Sequence, residues 1–286
     1  MMNDIGMKKI EGIHIPACPV ILTQLIDELK HSITNSKKIA ALVGQDVGLS
    51  SIVIRTANSP LIGCGRRIDS IANAVKILGF DTLTNLVREA LLQNSILGNG
   101  VGFERFWDSS RYTAIAGKRL AGVVGKVHPD TAYTFGLFHD CGIPLLIQRF
   151  PEYKKVLQQA NQDTERAFTE IEEEAIDTSH AVLGYYLART WGLSDAIAQG
   201  ILNHHDYKLL GNPLNIDSES CHLIAVNVMA EHIARTHLRT ETDMEWQKAR
   251  GAVSISLGYL ASDLDDIVAD IIYQFDETLA RHEDLE

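Results

Sequence analysis

Residues 134–144 of this chain read Thr-Phe-Gly-Leu-Phe-His-Asp-Cys-Gly-Ile-Pro, an apolar run that ends in the pair His139-Asp140. The run predicts a buried helix over residues 131–141 that carries the pair near its end. An imidazole and a carboxylate at such a position suit a divalent metal ion. A structural interpretation competes with this one: His139 forms a hydrogen bond inside the core and Asp140 ends the helix. The choice depends on which other side chains can reach the pair.

The composition is that of a folded protein, because 45% of the 286 residues are hydrophobic and 22% are charged. This length allows one large domain or two medium ones. The formal net charge is −11. Proteins that bind many phosphates of a nucleic acid present a basic surface, so the charge argues against nucleic acid as a ligand.

Cysteine spacing and hydrophobicity indicate where the protein resides. The cysteines lie far apart without a CxxC spacing, which predicts neither a zinc knuckle nor a disulfide framework: Cys18, Cys64, Cys141 and Cys221. Near the N-terminus, a glutamate and two prolines interrupt the apolar stretch before a signal-peptide core could form. No run approaches the ~18 apolar residues of a membrane helix. We therefore expect a cytoplasmic protein in a reducing compartment, with no membrane attachment.

Apolar residues recur at helical spacing along most of the chain, whereas the alternation typical of strands is hard to find. This pattern predicts an all-α protein. A glycine-rich segment at residues 98–102 separates a first half of short predicted helices from a second half of longer ones. The predicted organisation is an N-terminal extension, a main domain in two parts and C-terminal helices packed on its core, with limits at 1–13, 14–210 (parts 14–97 and 103–210) and 211–286.

Local signals predict several helix ends. Ser70 and Ser194 are suited to be N-caps, and Gly79 is predicted to end the helix that starts at Ile71. Acidic residues are dense between positions 163 and 177, where we interpret them as one solvent-exposed helix face: Glu165, Glu170, Glu172, Glu173, Glu174 and Asp177.

Three further histidines could reach the His139-Asp140 pair. His180 lies at a predicted helix start, and the doublet His204-His205 ends the helix that follows Ser194. Adjacent residues on a helix point about 100° apart. One imidazole of the doublet could therefore bind a metal ion while its neighbour faces a second metal ion or an anion. Imidazole and carboxylate ligands together suit manganese, iron, zinc or magnesium.

These residues belong to a longer pattern that resembles the HDOD family, a relative of the HD superfamily of metal-dependent phosphohydrolases. The resemblance covers roughly residues 14 to 210 and follows the family's order of motifs: Ile15-Pro16, Gln45-Asp46-Val47-Gly48-Leu49-Ser50, Ala57-Asn58-Ser59, Leu78-Gly79, Phe106-Trp107, Gly136-Leu137-Phe138-His139-Asp140, His180 with Gly184, Trp191-Gly192-Leu193 and His204-His205. It implies an HD-like multi-helix bundle with an N-terminal subdomain of short helices.

The resemblance also implies a divalent metal site, and Asp140 would be the catalytic residue if the protein is an enzyme. Its ligands would be His139, Asp140, His180, His204 and His205, a set similar to that of the HD-GYP cyclic-dinucleotide hydrolases, although the chain has no Gly-Tyr-Pro triplet. Ser109 and Asn227 stand where HD hydrolases supply a histidine and an aspartate. Ile143 stands where many of them have a lysine for phosphate. Such losses weaken both metal binding and hydrolysis.

Other candidate sites are weaker. Residues 63–65, Gly-Cys-Gly, lack the strand and the third glycine of a dinucleotide-binding loop. Arg66-Arg67 could hold an acidic partner or a phosphate, but we favour a solvated loop in which one arginine pairs with Asp69. The three histidines of one later helix do not share a face: His222, His232 and His237. Cys141 is interpreted as a small buried hydrophobic residue rather than a nucleophile.

The preferred function that the resemblance implies is a signalling or regulatory module: a degenerate HD phosphohydrolase that acts as a scaffold in bacterial regulation. Its partner would be a protein or a nucleotide-type ligand. The competing interpretation is a metal-dependent phosphohydrolase that acts on a nucleotide or a cyclic dinucleotide through the residual His/Asp site. A purely structural oligomerisation domain is a third alternative. The sequence does not predict the oligomeric state.

Overall fold

The computed structural model describes residues 12–30, 36–59, 62, 68–97, 103–211, 216–239 and 243–283. The predicted loop at residues 63–67, the predicted boundary at 98–102 and most of the predicted N-terminal extension lie outside these ranges. The described residues form helices and no strand, which confirms the all-α prediction. None of their helices is both long enough and apolar enough to span a bilayer.

The chain divides into two compact units. Residues 17–99 form the small unit, whose helices are α1 (Val20–Leu29), α2 (Ser36–Val43), α3 (Val47–Ala57) and α4 (Ile71–Leu97). Residues 1–16 and 100–286 form the large unit. Its helices are α5 (Glu104–Val124), α6 (Pro129–Phe138), α7 (Gly142–Arg149), α8 (Tyr153–Gln162), α9 (Phe168–Ile176), α10 (His180–Thr190), α11 (Asp195–Asn203), α12 (Lys208–Gly211), α13 (Ser218–His237), α14 (Met244–Leu257) and α15 (Ala261–Glu283).

In the small unit, local sequence signals determine where the helices begin and bend. The Asp46 side chain accepts a hydrogen bond of 2.9 Å from the backbone N–H of Leu49 and so caps α3. Gly79 interrupts α4 with φ 74° and ψ 167°, a conformation that glycine adopts without a steric penalty. The predicted break at Gly79 is therefore confirmed as a kink. The Asn58 side chain bonds both backbone groups of Ile68, which closes the loop between α3 and α4.

In the large unit, α13 lies in the middle of the helix bundle and packs against α5, α6, α11 and α14. Buried apolar residues run along most of its length, among them Ile224, Val228 and Ile233. Helices α5 and α6 approach until their backbones touch. A Cβ atom on Gly136 would lie only 2.9 Å from Cα of Ala114. Gly136 thus permits the close contact that fixes the position of α6.

The helix before the His139-Asp140 pair ends earlier than predicted. Helix α6 stops at Phe138, and the pair forms the turn between α6 and α7 rather than the last residues of a helix over 131–141. Backbone bonds of the turn type replace the helical ones, since Ile143 N–H donates to the Asp140 carbonyl at 2.8 Å. Pro144 lies in the first turn of α7, where a residue without an N–H donor is tolerated.

Candidate metal centre

Two further elements bring the predicted ligands to this turn. His180 is the first residue of α10, which Ser179 caps through a bond to Val182 N–H. The doublet His204-His205 directly follows α11, whose predicted cap Ser194 is confirmed. One ligand atom from each of four residues lies within 4.8 Å of the other three: Asp140, His180, His204 and His205. A second group shares the aspartate: His139, Asp140 and Glu231.

The Asp140 carboxylate is the centre of the cluster. Its Oδ1 atom lies 3.3 Å from Nε2 of His180 and 3.5 Å from Nε2 of His204. Its Oδ2 atom lies 3.2 Å from Nε2 of His139. The Nε2 atoms of His180 and His204 are 3.1 Å apart. The Oδ1 atom therefore faces His180 and His204, and the Oδ2 atom faces His139.

Two of the histidines are oriented by backbone carbonyls. The Nδ1 atom of His139 donates to the Gly136 carbonyl at 2.8 Å, and that of His204 donates to the Ile201 carbonyl at 2.6 Å. In a neutral imidazole, a proton on Nδ1 leaves a lone pair on Nε2. Both lone pairs then face the carboxylate of Asp140. A lone pair and a carboxylate repel each other, so a proton or a metal ion must lie between each imidazole and the carboxylate.

The other two histidines are held by buried glutamates that the sequence did not single out. Nδ1 of His180 lies 2.7 Å from Glu172 and Nδ1 of His205 lies 2.9 Å from Glu245. Tyrosine hydroxyl groups donate to both glutamates: that of Tyr153 to Glu172 and that of Tyr207 to Glu245. Carboxylates that orient a histidine from behind are typical of metal centres, where they fix the ring and raise its basicity.

The prediction that the acidic stretch 163–177 is one exposed face is wrong for Glu172. Its side chain is 0% exposed, whereas the other five acidic residues are all exposed. The helical phase explains the difference, because Glu172 lies four residues after the buried Phe168 on the inner side of α9. Burial of a carboxylate requires partners, and His180 and Tyr153 provide them.

The protonation states differ across the cluster. Burial opposes a charge on His180, but Glu172 outweighs it and raises the pKa of His180 to about 10. Burial lowers the pKa of His204 to about 3, so this imidazole is neutral at pH 7. Burial also opposes ionisation of Asp140, yet His139 holds the pKa of this carboxyl well below its usual value. A neutral imidazole and an ionised carboxylate are the forms that bind metal ions, so His204 and Asp140 are already in that form, whereas His180 must release a proton to bind one. The donor set, with every Nδ1 atom occupied by an outer partner, fits manganese, iron or zinc.

Comparison with known proteins agrees with this architecture. The family model of the HDOD domain matches residues 15–207. The chain belongs to the HDOD domain family. The solved structure of an HDOD domain protein with unknown function from Geobacter sulfurreducens has a TM-score of 0.70 to this chain, with 24% identity and 96% of each chain covered. That of a "Putative phosphohydrolase" from Shewanella amazonensis SB2B has a TM-score of 0.69, with 22% identity and 94% of each chain covered.

A curated relative is an uncharacterized protein of Treponema pallidum (strain Nichols), 24% identical over 193 residues. The alignment covers 67% of this chain and 38% of that protein. The solved structures share the all-α fold of this chain.

Beyond the residues that match the HDOD model, Glu231 on α13 supplies a carboxylate near the position where the expected aspartate is absent. Asn227 is 3% exposed, and neither polar atom of its side chain has a hydrogen-bond partner in the described part of the chain. Glu231 lies one helical turn further along α13, and its Oε1 atom is 3.0 Å from Nε2 of His139. The spacing of four residues on one helix face was a usable sequence signal. Ser109 is half-buried on α5, and Phe106, one turn earlier, lines the cavity beside Asp140.

Proposed function

We propose that this HDOD protein is a regulatory module whose His/Asp cluster holds a divalent metal ion and binds a protein partner or a nucleotide-type ligand without efficient turnover. The observation that carries the proposal is the convergence of three histidines on Asp140 with every Nδ1 atom anchored from outside. This arrangement of donor atoms supports a bound ion. Ser109, Asn227 and Ile143 meanwhile lack the imidazole, carboxylate and lysine of the hydrolases that the chain resembles.

A metal-dependent phosphohydrolase is the second candidate. It is favoured by the cavity of about 420 Å³ that reaches Asp140, His205 and Glu231, since a substrate could approach the centre there. A bound divalent ion would supply Lewis-acid polarisation of a phosphoryl oxygen. The residues of this chain would hold the ion and orient the phosphate. No lysine is present at position 143 to neutralise the phosphate's charge.

A hydrolysis assay distinguishes the two candidates. The full chain, saturated with Mn²⁺, is incubated with the generic diester bis(p-nitrophenyl) phosphate, and the Asp140→Asn variant serves as the matched control. The regulatory module predicts bound metal and a rate that does not exceed that of the variant. Metal-dependent turnover that Asp140→Asn abolishes would instead establish the hydrolase and contradict the proposal.

A further inference from the structure

The cavity beside the metal centre combines three kinds of wall. Asp140, His205 and Glu231 form the side that belongs to the centre. Helix α8 contributes residues at spacings of three and four, which lie on one helix face: Lys154, Leu157 and Asn161. The remaining lining residues are apolar except for one arginine: Phe103, Phe106, Ile143, Ile147, Phe168 and Arg235. An acidic metal centre, two cationic side chains and an aromatic wall thus open onto one space.

The two cationic side chains differ in their surroundings. Lys154 is exposed and forms no ion pair with any residue that the structure describes, whereas its neighbour Lys155 pairs with Glu152 at 2.6 Å. Arg235 is half-buried on α13, one turn after Glu231, whose side chain lines the same cavity. A guanidinium group has five N–H donors, so it can bind a carboxylate and an incoming anion together.

We propose that Lys154 and Arg235 form an anion subsite that takes the phosphate of a mononucleotide-sized phosphate ester, while Phe103, Phe106 and Phe168 contact its base. This inference rests on the proposed metal-holding function. Asp140 and Glu231 line the same cavity, and their charges repel an anion unless a divalent cation neutralises them. Phosphate binding is therefore coupled to metal binding.

The size of the cavity limits the ligand. About 420 Å³ lies near the lower end of the range for small-molecule sites. One base and one phosphate fill such a volume, so a cyclic dinucleotide would extend beyond the cavity walls. Aromatic side chains stack on any base with little dependence on its identity, so the subsite selects a size and a charge rather than one particular base.

Calorimetric titration of the full chain with AMP tests the proposal, with and without Mn²⁺. Uptake of Mn²⁺ is measured separately and first. We expect AMP to bind only the Mn²⁺-loaded protein, cyclic di-AMP to bind at least about tenfold more weakly, and Lys154→Ala to weaken AMP binding about tenfold or more, the range for a hydrogen bond to a charged group. The matched control Lys155→Ala changes the affinity less than about twofold, because its exposed side chain does not line the cavity.

The outcomes separate the subsite from the metal function. Normal Mn²⁺ uptake with no AMP binding, or with equal affinities for Lys154→Ala and Lys155→Ala, overturns the subsite and leaves the metal function intact. Tighter binding of cyclic di-AMP than of AMP overturns the size argument and hence the proposal. Failure to take up Mn²⁺ overturns the proposed function itself. Lys154 is exposed, so its substitution does not unfold the protein.

Discussion

Replacement of Glu172 by alanine is expected to lower the free energy of unfolding by about 3–5 kcal/mol, the cost of breaking a buried ion pair by removal of one partner. Glu172 is 0% exposed and accepts hydrogen bonds from the Tyr153 hydroxyl, from Nδ1 of His180 and from the His180 backbone N–H. Its removal leaves these donors buried without an acceptor. Denaturation in urea measures the loss.

The matched control for this experiment is Glu173→Ala. Glu173 is exposed on the same helix, so its substitution is expected to change the free energy by less than about 0.5 kcal/mol. Because Glu172 orients His180, Glu172→Ala also weakens metal binding by about 10–100-fold. Similar stabilities of the two variants would show that Glu172 is not a partner that the fold requires.

Replacement of Gly142 by alanine is expected to destabilise the protein by about 3 kcal/mol, at the upper end of the range for an overpacked core. A Cβ atom on Gly142 would lie 2.1 Å from the carbonyl oxygen of His180, and backbone atoms cannot yield as a flexible side chain does. The start of α10 must move away, and His180 moves with it. Thermal unfolding gives the destabilisation, and titration with Mn²⁺ gives the accompanying loss of affinity.

Gly122→Ala provides the matched control for Gly142→Ala. A Cβ atom on Gly122, in α5, would meet no atom within 4 Å. Alanine there is expected to be neutral or to stabilise the helix by up to about 1 kcal/mol. Equal effects of the two substitutions would contradict the role of Gly142 as the point where α7 touches the start of α10.

The fold could be predicted from local signals because helices depend on neighbours in sequence. Apolar spacing gave the helical class, Ser194 caps α11 as predicted, and Gly79 breaks α4 as predicted. The end of α6 was placed three residues too late, because residues 139–141 have no strong helix-breaking type before Gly142. The predicted domain limits at 1–13, 14–210 and 211–286 stay predictions.

The sequence predicted the histidine and aspartate ligands, but it did not predict the glutamates that contact the histidines. The order of motifs grouped His139, Asp140, His180, His204 and His205, and the structure brings them together. The glutamates that contact these histidines belong to no recognisable sequence motif. His139 and Glu231 are 92 positions apart, and only the packing of α13 against the other helices makes them neighbours. The burial of Glu172 was missed because the acidic residues around it in sequence are exposed. Its distance of four residues from Phe168 nevertheless placed it on the inner face of the helix.

The content of divalent metal per chain shows whether the cluster around Asp140 holds an ion. The protein is stripped with a chelator, reloaded with Mn²⁺, separated from free ion by gel filtration and analysed for its metal content beside Asp140→Asn. The arrangement of the donor atoms predicts about one or more ions per wild-type chain. The variant is expected to retain less than about a tenth of that, since Asp140 contacts three of the histidines. Wild-type protein that retains no more metal than Asp140→Asn would contradict the account.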